Sequence, residues 1–474
     1  MRAAIAISTL GLLSTPLYLS FVHLASRGSP PPSLDPGSNL MIAYQYCFFP
    51  LFGLYLLAAL AVFLDGGWQT PSLQQPPSNT QHPMTWWRPG SLWITLFFAI
   101  LFRLILLTSP PVLSSDLYRY IWDGRVQAGG INPYRFPPEA PELRPLRDQA
   151  IYPYINRPWA RTIYPPGAQL LFRTIYTIQP DSLLAIKGAM VLSDLATILL
   201  LIVLLRRFGL DPGRAILYAW HPLPIFEFAG SGHLDAFTLP FLLLAFLFRT
   251  ERKDQQAGLA LGAAALIKLY PALLLPALWR RGSLQLPLIF LGSLGLGYLT
   301  FLGAGSQILG FLPQYLSDPG ETFNPGLALP LMELAQRLTG HPRVVMTLIA
   351  ALTLLTLGFA LTRKPVEAAD AWIHRARLML GAWLLLSATV HPWYPIPMIP
   401  LLALEPRPAW LYLTGAVTLS YLKYAQASQP MPTWVLMIEY GPFFLLLIGG
   451  TFKAMFLRGL ESPNKRVPPW PLPL

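Results

Sequence analysis

Charge is scarce in this sequence: only 12% of its 474 residues are Asp, Glu, Lys or Arg, while 54% are hydrophobic. A soluble domain carries about a quarter charged residues, so this chain cannot be wetted on all sides. Cysteine is nearly absent. The single Cys47, in an apolar stretch, excludes a disulfide framework and a cysteine metal site. No Gly-rich phosphate loop is present, and no His or Cys cluster has ligand spacing, so neither a cofactor nor a metal is expected. The net charge of +12 is explained by Lys and Arg collecting in cytoplasmic loops rather than by nucleic-acid binding.

What is abundant is apolar sequence. Runs at 94–107, 183–205, 237–248 and 344–361 each approach the length that a roughly 30 Å hydrocarbon layer requires. The expected fold is an all-α integral membrane protein, one multi-pass domain over residues 1–474, with about eleven to thirteen membrane segments. The apolar stretch after Arg2 is read as an uncleaved first span.

Basic clusters order these segments. They lie at Arg206, Arg207 and Arg214; Arg249, Arg252 and Lys253; Arg280 and Arg281; Arg363, Lys364, Arg375 and Arg377; and Lys453, Arg458, Lys465 and Arg466. Placing all of them inside gives one consistent threading. Spans at 5–26, 39–64 and 91–113 lead to an external loop over 114–166, the expected seat of the active site. A re-entrant or interfacial helix at 166–178 and a span at 183–205 follow. Spans at 213–229 and 235–249 form a hairpin whose external tip carries His233 and Asp235. The segment 258–279 has basic residues at both ends, which a helix broken at Lys268-Leu269-Tyr270-Pro271 resolves, because Pro271 disfavours helix before it. Further spans at 285–303, 343–362, 377–390, 409–425 and 434–456 expose a loop at 317–325 and the segment His391-Pro392-Trp393-Tyr394-Pro395.

Four stretches carry candidate chemistry. In Ser114-Ser115-Asp116-Leu117-Tyr118-Arg119-Tyr120-Ile121-Trp122-Asp123, Ser115 can cap a helix running to Ala128, with Gly129 and Gly130 ending it. Asp116, Tyr120 and Asp123 then share a face. An Asp at the first helical position is held ionised by the helix dipole, as a general base requires; the alternative is a cap paired with Arg119. Asp123 has the same two readings. Downstream, Arg157, Arg161 and Tyr164 stand in an aromatic, Pro-rich continuation suited either to a sugar or lipid head or to an ordinary interfacial belt. His233 and Asp235 lie at a span end, where ionisable residues are functional candidates, although Asp235 could simply start a helix. Lys268 needs an anion if it lies within the membrane, and a lipid phosphate would serve; snorkelling to an interface is the alternative. Tyr270 adjoins it, and His391 is similarly placed.

These stretches resemble the GT-C superfamily of membrane glycosyltransferases, in particular the polyprenyl-phosphate-mannose-dependent mannosyltransferases, both bacterial enzymes and the first mannosyltransferase of GPI assembly. The likeness rests on the acidic loop ending in Asn132-Pro133-Tyr134, on Tyr164-Pro165-Pro166, on Gly232-His233-Leu234-Asp235 and on Lys268-Leu269-Tyr270-Pro271, across roughly residues 91–400. The resemblance implies transfer of a sugar, mannose by analogy, from a polyprenyl-phosphate donor to a lipid or glycan acceptor on the external face of a bacterial inner membrane, with inversion. It implies Asp116 as the base, with Asp123 as the alternative. Lys268, with Arg119 or Arg157, would stabilise the departing phosphate. Tyr120, Tyr164, Tyr270, His233, Asp235 and His391 would contact substrate. A soluble sugar nucleotide is not supported as donor. The rival class is a multi-pass transporter or lipid flippase with Lys268, Asp235 and His233 on its path; such proteins commonly repeat their broken helices, and no second copy of the Lys268 break is evident.

Overall fold

The computed structural model describes residues 2–27, 39–66, 89–363, 371–425 and 431–460, the last ten of these without their side chains. Lys364, Lys465 and Arg466 lie outside the described residues, as do the side chains of Lys453 and Arg458. Among the described residues no strand forms. Phe323 and Thr389 make one isolated parallel bridge, and the rest is helix and connecting turn, as expected of an all-α membrane protein.

Six described helices are long and apolar enough to cross a membrane. They include α1 (Arg2–Arg27), α2 (Leu40–Gly66) and α3 (Pro89–Leu107). Next come α4 (Asp116–Ala128) and α5 (Pro166–Ile178), both short and lying between α3 and the long α6 (Leu183–Arg207). Then α7 (Asp235–Thr250), α8 (Asp254–Ile267) and α9 (Gln285–Leu299) pack side by side, with α8 in the middle. The chain turns by 91° after α9 into Leu302–Ser317, a pair that would raise the number of spans to seven if counted as one. The fold is completed by α10 (Ala328–Thr339), α11 (Pro342–Arg363), α12 (Ala371–Leu386), α13 (Pro408–Ala416) and α14 (Thr433–Leu460).

Three expected spans are not continuous helices. Residues 213–229 form short α, 3-10 and π pieces, because Pro222 and Pro224 withhold backbone donors and crowd the preceding turn. The stretch 409–425 tightens to a 3-10 helix after Ala416, and 285–303 ends in the sharp bend. The break at Lys268 is present: α8 ends at Ile267, Lys268 is extended at φ −147° and ψ 141°, and a 3-10 turn over Tyr270–Leu274 follows.

The directions of the helices set the layout. Running down α6, α7, α11 and α12, the chain passes between one end holding Ser182, Asp235, Arg343 and His391 and another holding Arg207, Arg249, Arg363 and Arg375. Among the described residues, members of the basic clusters gather at the second end, where Arg249 is within electrostatic reach of Arg280 and Arg375 and where Arg207 pairs with Glu251 at 2.8 Å. The loop 114–166 and Lys268 lie at the first. Deep between the ends, fully buried Arg103 of α3 meets Asp194 of α6 at 2.6 Å and donates to the Ala219 carbonyl at 2.8 Å, while the Tyr218 hydroxyl donates to Asp194 at 2.5 Å. A buried charge without a partner costs several kcal/mol. This cluster therefore fixes the broken 212–230 segment against α3 and α6.

Candidate active site

Helix α4 presents the first element of the site. Its opening N–H, on Asp116, is bonded by the Ser114 hydroxyl at 3.2 Å, so Ser114 supplies the capping oxygen expected of Ser115. The helix ends at Ala128, and Gly130 takes φ +76°. Gly124 allows α4 to lie against α5: a Cβ there would meet the Phe172 carbonyl at 2.7 Å.

Along this one helix the two Asp residues have different surroundings. Asp123 is almost wholly buried and pairs with Arg119 at 2.8 Å; its other oxygen accepts from Thr162 at 2.6 Å and from Gln169 at 2.9 Å. Arg119 is completed by the Ala160 carbonyl at 3.0 Å. This network ties the loop to α4 and α5. Asp116 keeps 23% of its side chain exposed. One oxygen accepts from the Asn156 amide at 2.6 Å, and the other faces His233 Nδ1 at 3.8 Å. Arg119 thus pairs with Asp123 and not with Asp116. Tyr120 is buried, stacked on Phe172 at 4.8 Å and edge-on to Tyr164 at 5.0 Å. The Tyr164 carbonyl accepts from the Tyr134 hydroxyl at 2.7 Å.

His233 stands where the 212–230 segment enters α7. Gly232, at φ +74°, makes the turn. The imidazole stacks on Trp393 at 3.7 Å, and Trp393 stacks in turn on His391 at 4.5 Å and His391 on Phe323 at 4.6 Å. Burial, reinforced by the charges of Arg157, His233, Lys268 and Lys423, holds His391 well below the ordinary imidazole range, so it stays neutral. Beneath His233, fully buried Glu227 places an oxygen 3.2 Å from Nε2.

Lys268 finds its anion within the chain: its ammonium meets Asp235 at 2.5 Å, with 24% of the lysine side chain still exposed, and sits 5.3 Å over the Tyr394 ring. Tyr270, next to the break, stacks on Trp383 at 5.3 Å. Arg157, at φ +48°, clasps both oxygens of Glu321 through Nε and Nη2 at 2.6 and 2.5 Å. That joins the 114–166 loop to the loop after Ser317. Arg161 instead donates to the Arg135 carbonyl at 3.1 Å on the exposed side.

Asp116, His233, Asp235, Lys268, His391 and Arg157 therefore converge, and Tyr394 is close enough to feel both Asp116 and Asp235. Asp123, Arg119 and Tyr120 are enclosed one to two turns along α4. The sequence reading passed over Asn156, Glu227, Glu321 and Trp393. For Glu227 the signal is its place inside the apolar run 222–230, where an acid is costly; reading 213–229 as a span hides it. Among the described residues no group of three or more His, Cys, Asp or Glu is arranged to hold a metal.

The α4, His233 and Lys268 parts of this geometry lie inside one matched region. Residues 70–280 match the family described as alpha-(1->6)-mannopyranosyltransferase, N-terminal domain. It is a GT-C-type mannosyltransferase family, so the resemblance drawn from the motifs is met here, and the match supports mannosyltransferase activity. The matched stretch contains every candidate residue except His391. No curated protein matches the chain.

Proposed function

We propose that the protein is a polyprenyl-phosphate-mannose-dependent mannosyltransferase working at the non-cytoplasmic face of a bacterial cell membrane. The observation that carries this is that a part-exposed carboxylate, Asp116, and a part-exposed cation, Lys268, both border Tyr394 at the bundle end opposite the described basic residues. By the positive-inside rule that end faces outward. Sugar nucleotides are cytoplasmic, whereas lipid-linked sugars can be presented there.

In this reading Asp116 takes the proton from an acceptor hydroxyl as that oxygen attacks the anomeric carbon. The amide of Asn156, on one oxygen, keeps the carboxylate oriented. The bond from that carbon to the lipid phosphate breaks on the opposite side, so a β-linked donor yields an α-linked product. Negative charge grows on the leaving phosphate. Lys268 shares its contact with Asp235 and turns toward that phosphate, and a fixed cation there favours the transition state more than the ground state. Arg157 closes the site from the loop side. The acceptor is a glycan or glycolipid, with a mannose 6-hydroxyl favoured by the linkage in the family's description.

The test is transfer from radiolabelled polyprenyl-phosphate mannose in membranes carrying the protein. Label appearing in an α-linked product supports the reading. No transfer, with glucose and arabinose carriers also inert, favours a transporter.

A further inference from the structure

Glu227 is a fully buried acid that the scheme above leaves without a task. It is fully shielded from solvent, and the Tyr421 hydroxyl donates to its two oxygens at 2.9 and 3.0 Å. The segment that carries it, Ile225–Gly230, is wound as a π-helix, a distortion found often at functional sites. The backbone N–H of His233 donates to the Glu227 carbonyl at 2.8 Å, so the two residues are held in register.

We infer that Glu227 is a positioning residue that acts on Asp116 through His233, the three forming a relay for the acceptor's proton. The inference rests on the mannosyl-transfer reading and deepens it. A carboxylate sealed from water needs donors on its oxygens. Tyr421 provides one, and His233 Nε2, 3.2 Å away, is placed to provide the other. With its proton on Nε2, the imidazole turns a bare Nδ1 toward Asp116, 3.8 Å off. Stacking on Trp393 fixes the ring plane. Nε2 is not yet in line for a hydrogen bond, and contacts of this kind commonly tighten only when substrate binds.

The steps balance. The acceptor O–H bond breaks and its proton joins Asp116, while the acceptor oxygen bonds the anomeric carbon and the electron pair of the broken carbon–oxygen bond leaves with the lipid phosphate. The proton then moves from Asp116 to Nδ1. The imidazolium so formed is held by the Glu227 carboxylate, and Asp116 is restored as an anion.

Other groups face this relay from each neighbouring element: Tyr44 of α2 and Tyr421 toward Glu227, Asp235 and Lys268 beside the turn, His391 and Arg157 from the loops, and Lys423 from the 3-10 helix after Ala416. None of them is altered by Glu227→Gln, which keeps shape and removes charge.

The experiment measures kcat and KM for polyprenyl-phosphate mannose across pH in wild type, Glu227→Gln and Tyr421→Phe. Glu227→Gln is expected to lower kcat about 100-fold with little change in KM, and to move the acid limb of the kcat profile to lower pH, because the carboxylate favouring imidazolium is gone. Tyr421→Phe moves both in the same sense but less, and it serves if the Gln variant does not fold. Unchanged kcat and limb in Glu227→Gln, or in Tyr421→Phe where only that protein folds, overturns the relay while leaving mannosyl transfer standing. An inactive wild type overturns mannosyl transfer itself, and the relay with it.

Discussion

The first turn of α4 and its third turn hold the same residue type in opposite conditions. At the first turn Asp116 has one amide donor and an open side; at the third, Asp123 is closed in by Arg119, Thr162 and Gln169. Helical periodicity puts both on one face, yet neighbours from a distant loop and from α5 decide what each can do. Three donors already fill the Asp123 carboxylate, whereas Asp116 keeps one side open.

The contrast breaks most easily at Asp116. Asp116→Asn removes the proposed base without changing size, and transfer should fall about 1,000-fold, or roughly 4 kcal/mol in activation free energy, at equal expression. Retained transfer would make the open end of α4 no different from the closed one. Asp123→Asn is expected to do the reverse. It leaves Arg119 buried without its counter-charge, costing about 3 kcal/mol of stability; thermal denaturation in detergent should register it, while turnover per folded molecule changes only a few-fold.

The periodic sequence made α4 legible almost to the residue, and α5 also, because Ser, Pro and Gly punctuate both. Lys268 and Pro271 announced the break after α8. What the sequence could not supply was the partner of each charge. Lys268 called for an anion, and Asp235 supplies it from another helix; Arg119 had an Asp on either side in sequence, and packing against Thr162 and Gln169 selected Asp123. The stretch 213–229 reads as a span by hydropathy, which does not register the two prolines that break it. Glu227, 0% exposed inside it, was lost with that reading.

Two smaller changes sharpen the comparison further. Lys268→Gln should lower kcat by about 10- to 100-fold, roughly 1.4–2.7 kcal/mol, with fold retained since Asp235 can accept from the amide; a change confined to KM would assign the lysine to binding alone. Asp148→Asn tests the loop far from the chemistry. Burial would raise Asp148, but the Arg125 guanidinium and the N–H groups of Tyr152 and Ile151 outweigh it and hold the carboxyl down at about 2. Its folded value lies below the unfolded one, so its contribution is present above about pH 4 and is lost as pH falls through about 2. The aspartate is a third exposed, so the variant should lower Tm by no more than about 2 °C and leave transfer intact.

The most direct measurement supplies purified wild-type protein in liposomes with radiolabelled polyprenyl-phosphate mannose or with a soluble mannose nucleotide, each with an oligomannose acceptor. Label should pass to the acceptor from the lipid donor only, and Asp116→Asn should lower it about 1,000-fold. Transfer from the soluble nucleotide, or equal transfer by Asp116→Asn and wild type, would contradict the assignment of donor and base.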